Sequence, residues 1–321
     1  MENFLSPLKV LEAYSEAGVK KFGKKFLPCF LLAVLAGALI ALAAAASSTA
    51  AHTASSVGAG RLISGMLFPF GLSIVILSAA ELFTGNSLIV ISLLDKKVSF
   101  RSMLRNWLIV YSGNFLGSVL IAALCAYCGQ LNYSEGALAL YTMKLAEAKA
   151  SMPFFNGFFS GIACNVLVCL GVFCSMTARD TSGKILGAFL PVALFVLCGF
   201  EHCVANMYYI PAGLFAKSLP EYASLAESSG LMLQNLSWLN FLKSLVPVTF
   251  GNIAGGSGIA AFLWLYHKRA AMPEPPAMFP RVTGTRLFKK FSQLRFCSIK
   301  PELSAREAYS GRLLAKSPAG I

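Results

Sequence analysis

Long apolar segments alternate with short polar segments along the chain, and the alternation occurs six times. A helix needs about 20 apolar residues to cross a bilayer core of about 30 Å. The sequence therefore predicts an all-α membrane protein with six transmembrane helices. Their ranges are 26–47, 62–80 (running on to 94), 107–129, 154–176, 185–200 (resuming at 207–216) and 241–266.

The composition agrees with this pattern. Of the 321 residues, 56% are hydrophobic and only 13% are charged, whereas soluble domains average about 25% charged residues. So few polar side chains could not cover a water-soluble surface, and disordered chains are poor in apolar residues. The first span is too long for a cleavable signal peptide, and about 25 amphipathic residues precede it.

Basic residues are distributed unevenly across the predicted membrane, which indicates the orientation. With the N-terminus inside, the outer side holds only five of the 27 Lys and Arg residues. We expect a multi-pass protein of the inner (cytoplasmic) membrane with both termini in the cytoplasm. The net charge of +13 then reflects basic flanks facing anionic lipid, and it predicts no nucleic-acid partner. The five outer residues are Arg61, Lys144, Lys149, Lys217 and Lys243.

Two polar segments flank the six spans. Residues 1–25 form a cytoplasmic segment whose periodicity predicts an amphipathic helix from Pro7 to Lys25, and residues 26–267 form the transmembrane domain. Residues 268–321 form a basic cytoplasmic tail. Its stretch 286–299 is compatible with an amphipathic helix on the membrane surface or with a disordered tail.

The two halves of the membrane domain share motifs. The second span is interrupted from Glu81 to Asn86 and the fifth from Glu201 to Asn206, both with four residues between Glu and Asn. The third and sixth spans each carry Gly-Asn-x-x-Gly, at residues 113–117 and 251–255. Three spans per half is an odd number, so the halves have opposite orientations. The sequence predicts an inverted 3+3 repeat with broken second and fifth helices, as in transporters and channels.

Helix breaks inside a membrane survive only where protein or a water-filled path satisfies the backbone. Freed N–H groups at a half-helix N-terminus favour an anion. For Glu81 and Glu201 we favour a structural role, in which each carboxylate accepts hydrogen bonds from the N–H groups of its own break, over direct solute contact. His202 is the one His inside a span, and we expect it to line a pore. The Gly-x-x-x-Gly spacings predict close helix crossings.

Other classes of protein fit less well. A bis-His haem site needs paired His residues, and an intramembrane metalloprotease needs His-Glu-x-x-His; both are absent. The nine Cys residues are interpreted as small apolar packing residues. We expect no enzyme activity, no metal and no cofactor. A water or glycerol facilitator would have the same kind of inverted repeat, but the sequence lacks the paired Asn-Pro-Ala loops of aquaporins.

The interrupted segments identify a family. Residues 81–86 (ELFTGN) and 200–208 (FEHCVANMY) resemble the signature segments of the formate/nitrite transporter family, and residues 165–169 (NVLVC) resemble its fourth-span motif. The resemblance covers about residues 5–267. It implies a homopentamer with an aquaporin-like fold and a pore in each protomer. That pore would pass small monovalent anions, namely formate, nitrite or hydrosulfide, and formate is the commonest assignment.

The resemblance also implies roles for individual residues. The pore residues would be His202, Thr84, Asn165, Lys149 and Glu201, with Lys149 in an outer vestibule. The residues of the cytoplasmic constriction would be Leu82, Phe83 and Val168, and those of the outer constriction Phe68, Leu72 and Phe195. The residues shaping the loops would be Glu81, Gly85, Asn86 and Asn206.

These roles suggest a mechanism. Lys149 attracts the anion, His202 gives it a proton or a strong hydrogen bond, and the neutralised acid passes the apolar constriction. The family's N-terminal helix lies under the pore, so residues 7–25 would act as a gate or as an interfacial anchor.

Overall fold

A computed structural model of the chain describes residues 4–270, and side chains to residue 268. The predicted tail helix at 286–299 lies outside the described residues. The helices are α1 (Pro7–Phe22), α2 (Phe26–Ala51), α3 (Val57–Leu67), α4 (Pro69–Leu77), α5 (Val90–Leu94), α6 (Phe100–Tyr127), α7 (Ala137–Ala150), α8 (Phe154–Thr177), α9 (Thr181–Cys198), α10 (Cys203–Ser218), α11 (Pro220–Ser228) and α12 (Trp238–Ala270), with 3₁₀ turns at Gly85–Ile89 and Gln130–Asn132.

Six helices of the described chain are long and apolar enough to cross a membrane, which confirms the predicted fold class. The second of these consists of α3 and α4, which are separated at Phe68. The six cover Phe26–Ala51, Val57–Leu77, Phe100–Tyr127, Phe154–Thr177, Thr181–Cys198 and Trp238–Lys268.

The second and fifth helices break where the sequence predicted. After α4 the chain is not helical until the 3₁₀ turn that begins at Gly85, and α5 follows that turn. After α9 the chain passes Gly199, whose φ is 74°, and α10 begins at Cys203. Each half of the domain therefore contributes one interrupted helix, as an inverted repeat requires.

The small residues of the repeated motif hold the helix pairs together. A Cβ atom on Gly113 would lie 2.9 Å from the Phe30 carbonyl oxygen of α2, and one on Gly255 would collide with the Ile162 carbonyl of α8. Glycine at these positions lets α6 approach α2, and α12 approach α8, at backbone contact distance. The predicted close crossings are present.

The N-terminal helix α1 packs on the membrane domain. Val10, Leu11 and Tyr14 are buried in a small core with α5, α8 and α12. The Tyr14 hydroxyl donates to the Gly85 carbonyl at 3.0 Å, so α1 contacts the first break directly.

Helices α7 and α11 lie between the spans, and the sequence did not predict them. They form a second small core with residues such as Leu131, Met143 and Tyr222. Helix α7 places Lys149 beside the second break, because Lys149 lies in its last turn.

Candidate functional site

The two helix breaks meet side chain to side chain. Thr84 Oγ1 of the first break lies 2.9 Å from His202 Nε2 of the second, although 118 residues separate them in the chain. Thr84 is fully buried and His202 is 3% exposed. The pairing places one buried hydroxyl and one buried imidazole where the breaks of the two repeats meet.

The hydrogen bonds of His202 define its protonation. Its Nδ1 accepts the backbone N–H of Ala205 at 3.1 Å and caps the N-terminus of α10. A ring nitrogen that accepts carries no proton, so in this arrangement the imidazole is neutral and Nε2 holds the hydrogen. Nε2–H donates to Thr84 Oγ1, and the hydroxyl hydrogen of Thr84 remains available for another acceptor.

Asparagine side chains, rather than the glutamates, satisfy the backbone of the breaks. Asn114 accepts the Phe83 N–H and donates to the Glu81 carbonyl. Asn252 does the same for the Cys203 N–H and the Glu201 carbonyl. The expectation that each carboxylate accepts the freed N–H groups is therefore wrong, because the motif's Asn reaches them from the neighbouring span.

The two carboxylates instead bind lysines and asparagines. Glu81 accepts from Lys21 at 2.6 Å, Lys24 at 2.7 Å and Asn86 at 2.9 Å. Both lysines belong to the N-terminal segment, so this segment is tied to the first break by two ion pairs. Lys21 also donates to Asn86 at 2.7 Å.

At the second break, Lys149 donates to both oxygens of Glu201, at 2.8 and 2.9 Å. Asn206 also donates to Glu201, at 2.7 Å. The ammonium group of Lys149 lies over the Tyr209 ring, 5.2 Å from its centroid. Lys149 is therefore near the second break as the family resemblance implies, but its charge is compensated.

Asn165 holds the first break rather than the imidazole. Its Nδ2 lies 2.6 Å from the Asn252 carbonyl, 3.1 Å from Ser87 Oγ and 3.3 Å from the Thr84 carbonyl. Asn165 thus links α8 and α12 to the Thr84 loop, and it reaches His202 only through Thr84.

Apolar side chains flank the Thr84–His202 pair. On one side, the Phe68 and Phe195 rings meet edge to face at 5.7 Å, and Phe195 stacks on His202 at 6.0 Å. Leu72 is buried and lies near Gly171 of α8, where an added Cβ would be 3.4 Å from Leu72 Cδ2. Its grouping with Phe68 and Phe195 in the outer constriction stays a prediction.

The inner set consists of Leu82, Phe83 and Val168, each 2–4% exposed. The Phe83 ring packs edge to face on Tyr111 at 4.9 Å and on Trp107 at 6.2 Å, both on α6. Gly85, beyond this set, presents its carbonyl to Tyr14.

A cavity of about 610 Å³ opens on the Phe68 side of His202. We call it the outer vestibule. Glu201 is the one acidic residue of its lining, which also holds three basic residues. The basic residues are Arg61, Lys144 and Lys149.

Sequence reasoning missed three contributors to the site. It singled out Gly-Asn-x-x-Gly for its glycines, although the same motif contains Asn114 and Asn252. Asn106, which accepts from Asn86 at 3.0 Å, stands in no motif. The repeated Asn of Gly-Asn-x-x-Gly is the signal that could have identified the first two.

Comparisons with known proteins agree with this architecture. The description Formate/nitrite transporter belongs to the family model that matches residues 8–266. The chain is 33% identical over 258 residues to the formate channel FocA of Haemophilus influenzae, covering 79% of this chain and 91% of that protein. It is 31% identical over 264 residues to the formate channel BtFdhC of Bacillus thuringiensis, covering 81% and 95%.

Solved structures give the same result. A pentameric formate channel with formate bound superposes with a TM-score of 0.68 at 32% identity, covering 76% of this chain and 98% of that one. An ion channel of the same family superposes at 0.69 with 23% identity, which shows the fold. With its six spans and two broken helices, this multi-pass membrane protein belongs to the formate/nitrite transporter family.

Proposed function

We propose that each protomer forms a pore for small monovalent weak-acid anions, with formate as the first candidate and nitrite and hydrosulfide as the others. The observation that carries the proposal is the Thr84–His202 hydrogen bond of 2.9 Å at the meeting point of the two breaks. The Thr84 hydroxyl and the His202 N–H are both buried hydrogen-bond donors. They lie between apolar side chains at the inner end of the vestibule.

The apolar rings select for a neutral species. Moving a charged group into an apolar environment without partners is very costly, and Phe68, Phe195, Leu82 and Val168 offer none. A weak acid avoids the cost by taking a proton or a strong hydrogen bond. Anions of strong acids such as chloride are excluded for the same reason.

The neutral form of His202 supports hydrogen-bond assistance as the first step. Its Nε2–H polarises the Thr84 hydroxyl, whose hydrogen points to the anion. Full protonation of the imidazole would require Nδ1 to take a proton and release the Ala205 N–H. Proton transfer therefore involves loosening the first turn of α10, whereas hydrogen bonding involves no such change.

The same reasoning extends to assembly and location. The homopentamer is proposed by analogy with the pentameric formate channel described above. The excess of Lys and Arg on one side supports a cytoplasmic position for both termini, and we propose that the pore lies in the inner (cytoplasmic) membrane. We propose that two apolar constrictions lie on either side of His202, with Phe68, Leu72 and Phe195 outside and Leu82, Phe83 and Val168 inside.

The test is flux through proteoliposomes containing the full chain. Formate, nitrite, hydrosulfide and chloride are compared at two pH values, with wild type, His202→Ala and His267→Ala as the control at the far end of α12. We expect saturable weak-acid flux that exceeds chloride flux and falls in His202→Ala alone. A complete loss indicates proton coupling, and a reduced anion leak indicates hydrogen-bond assistance. Chloride flux equal to formate flux, or flux independent of His202, overturns the proposal.

A further inference from the structure

The charges of the outer vestibule are not equivalent. Lys149 is paired with Glu201 at 2.8 Å and is 13% exposed at its side chain. Arg61 and Lys144 line the same cavity and, in the part of the chain that the structure describes, neither makes an ion pair or a side-chain hydrogen bond. The net attraction for an anion therefore comes from Arg61 and Lys144 rather than from Lys149.

Arg61 has a defined place at the second break. Its guanidinium lies on Gly199, and a Cβ atom at residue 199 would be 2.8–2.9 Å from Nη1, Cζ and Nη2. Gly199 has a φ of 74°, so the backbone turn favours glycine there, and an added Cβ would displace the guanidinium. His202 follows Gly199 by three residues, so Arg61 lies close in the chain fold to the second break.

The terminal carbonyls of α9, beneath Arg61, have hydrogen-bond partners other than the guanidinium. The Gly199 and Phe200 N–H groups already bind the carbonyls of Val196 and Phe195, both at 3.0 Å, and close α9. These carbonyls are satisfied by the backbone turn itself. The guanidinium donors consequently remain available to the vestibule.

Arg and Lys differ in what they recognise. A guanidinium presents a rigid planar fork that matches two oxygens of one anion, whereas an ammonium acts as a point charge. We propose that Arg61 is the docking residue of the outer vestibule and that it favours planar anions with two oxygens, formate and nitrite, over single-centre anions such as hydrosulfide. This inference rests on the proposed weak-acid pore and narrows its substrate class.

The test separates the effect of the planar guanidinium of Arg61 from the effect of its positive charge. Initial flux into proteoliposomes is measured against concentration for formate and hydrosulfide, in wild type, Arg61→Lys and Arg61→Gln. Lys243→Gln is the control, because it removes an outer charge that does not line the vestibule. In Arg61→Lys we expect the half-saturation concentration for formate to rise about three- to ten-fold, while that for hydrosulfide stays unchanged. The pentamer is checked by size-exclusion chromatography.

A second pair of variants tests the same contact without changing the arginine. Gly199→Ala pushes the guanidinium away, while Gly230→Ala imposes a similar backbone strain, with a φ of 70° and no atom within 4 Å of the added Cβ. We expect Gly199→Ala to lower the formate-to-hydrosulfide preference as Arg61→Lys does, and Gly230→Ala to leave it unchanged.

The outcomes are separable. Half-saturation values in Arg61→Lys equal to those of wild type overturn the inference, as does an equal rise for both anions, because charge alone would then be enough. If wild type shows weak-acid flux and the Arg61 variants keep the wild-type half-saturation concentrations, only this inference is overturned. Absence of weak-acid flux in wild type removes the proposed function itself.

Discussion

Asn114 and Asn252 make the same three hydrogen bonds in the two halves of the protomer. Asn114 accepts the Phe83 N–H at 2.8 Å and donates to the Ala33 and Glu81 carbonyls at 2.7 and 2.9 Å. Asn252 accepts the Cys203 N–H at 2.9 Å and donates to the Gly161 and Glu201 carbonyls at 2.8 and 3.0 Å. One side chain in each half thus fixes the broken helix to the first helix of its own repeat.

Removing either asparagine should destabilise the protein. Asn114→Ala leaves a buried backbone N–H and a buried carbonyl of the break without partners, and we expect a loss of about 2–4 kcal/mol. Thermal unfolding of the purified protein in detergent measures the effect as a fall in Tm. The half-buried Asn240, which makes one hydrogen bond through its Nδ2, is the control, with a loss below about 1 kcal/mol. Equal Tm values for Asn114→Ala and Asn240→Ala would contradict the assigned role.

The Thr84 hydroxyl should be required for flux, while its methyl group should not. Thr84→Val keeps the shape and removes the donor to the anion, and it leaves the buried His202 Nε2–H without its acceptor. We expect formate flux to fall at least ten-fold, the equivalent of about 1.4 kcal/mol or more. Thr84→Ser keeps the hydroxyl and should retain most of the flux. Stopped-flow measurements on both variants decide the point, and equal flux in the two would remove Thr84 from the mechanism.

The Lys149–Glu201 pair should behave as a unit. Lys149→Met leaves a carboxylate that is 5% exposed without its cation, which costs about 3–5 kcal/mol. Glu201→Gln in the same chain removes the uncompensated charge and keeps the Asn206 contact, so the double variant should recover most of the stability. Unfolding of the four proteins forms a double-mutant cycle. Additive losses in the cycle would show that the two residues act independently.

Asp95 should hold α1 in place across the physiological pH range. It accepts from Ser15 of α1 at 2.6 Å and from Trp264 at 2.8 Å. Burial raises the pKa of Asp95, but these hydrogen bonds and the charge of Lys268 outweigh burial and hold the pKa below its ordinary value of 3.8. A lowered pKa means that the stabilisation is complete above about pH 4 and is lost only at lower pH.

Hydrogen exchange of residues 7–22 tests this prediction. In wild type we expect equal protection at pH 8 and pH 5 after correction for intrinsic rates. Asp95→Asn should exchange faster at both pH values, because it loses the charged acceptor. Asp180→Asn, which alters the cap of α9, is the control and should leave α1 unchanged. If protection of wild-type α1 falls between pH 8 and pH 5, Asp95 is not the group that holds the helix.

The six spans and the repeat could be read from the sequence because both are local patterns. Twenty apolar residues predict a span without knowledge of neighbours, and the spacing from Glu81 to Asn86 and from Glu201 to Asn206 marks the breaks. Helices α7 and α11 could not be read in this way. They are short and of mixed polarity, and packing in a core of distant residues such as Leu131 stabilises them.

The sequence by itself determined the membrane class, the six spans, the two breaks and the family, because these follow from hydropathy and short motifs. The tertiary structure alone decided which groups meet. Lys21 reaches Glu81 across 60 residues and Thr84 reaches His202 across 118, and Phe83 turns its ring toward α6. These contacts depend on how the two repeats pack, and many alternative pairings satisfy the same local patterns.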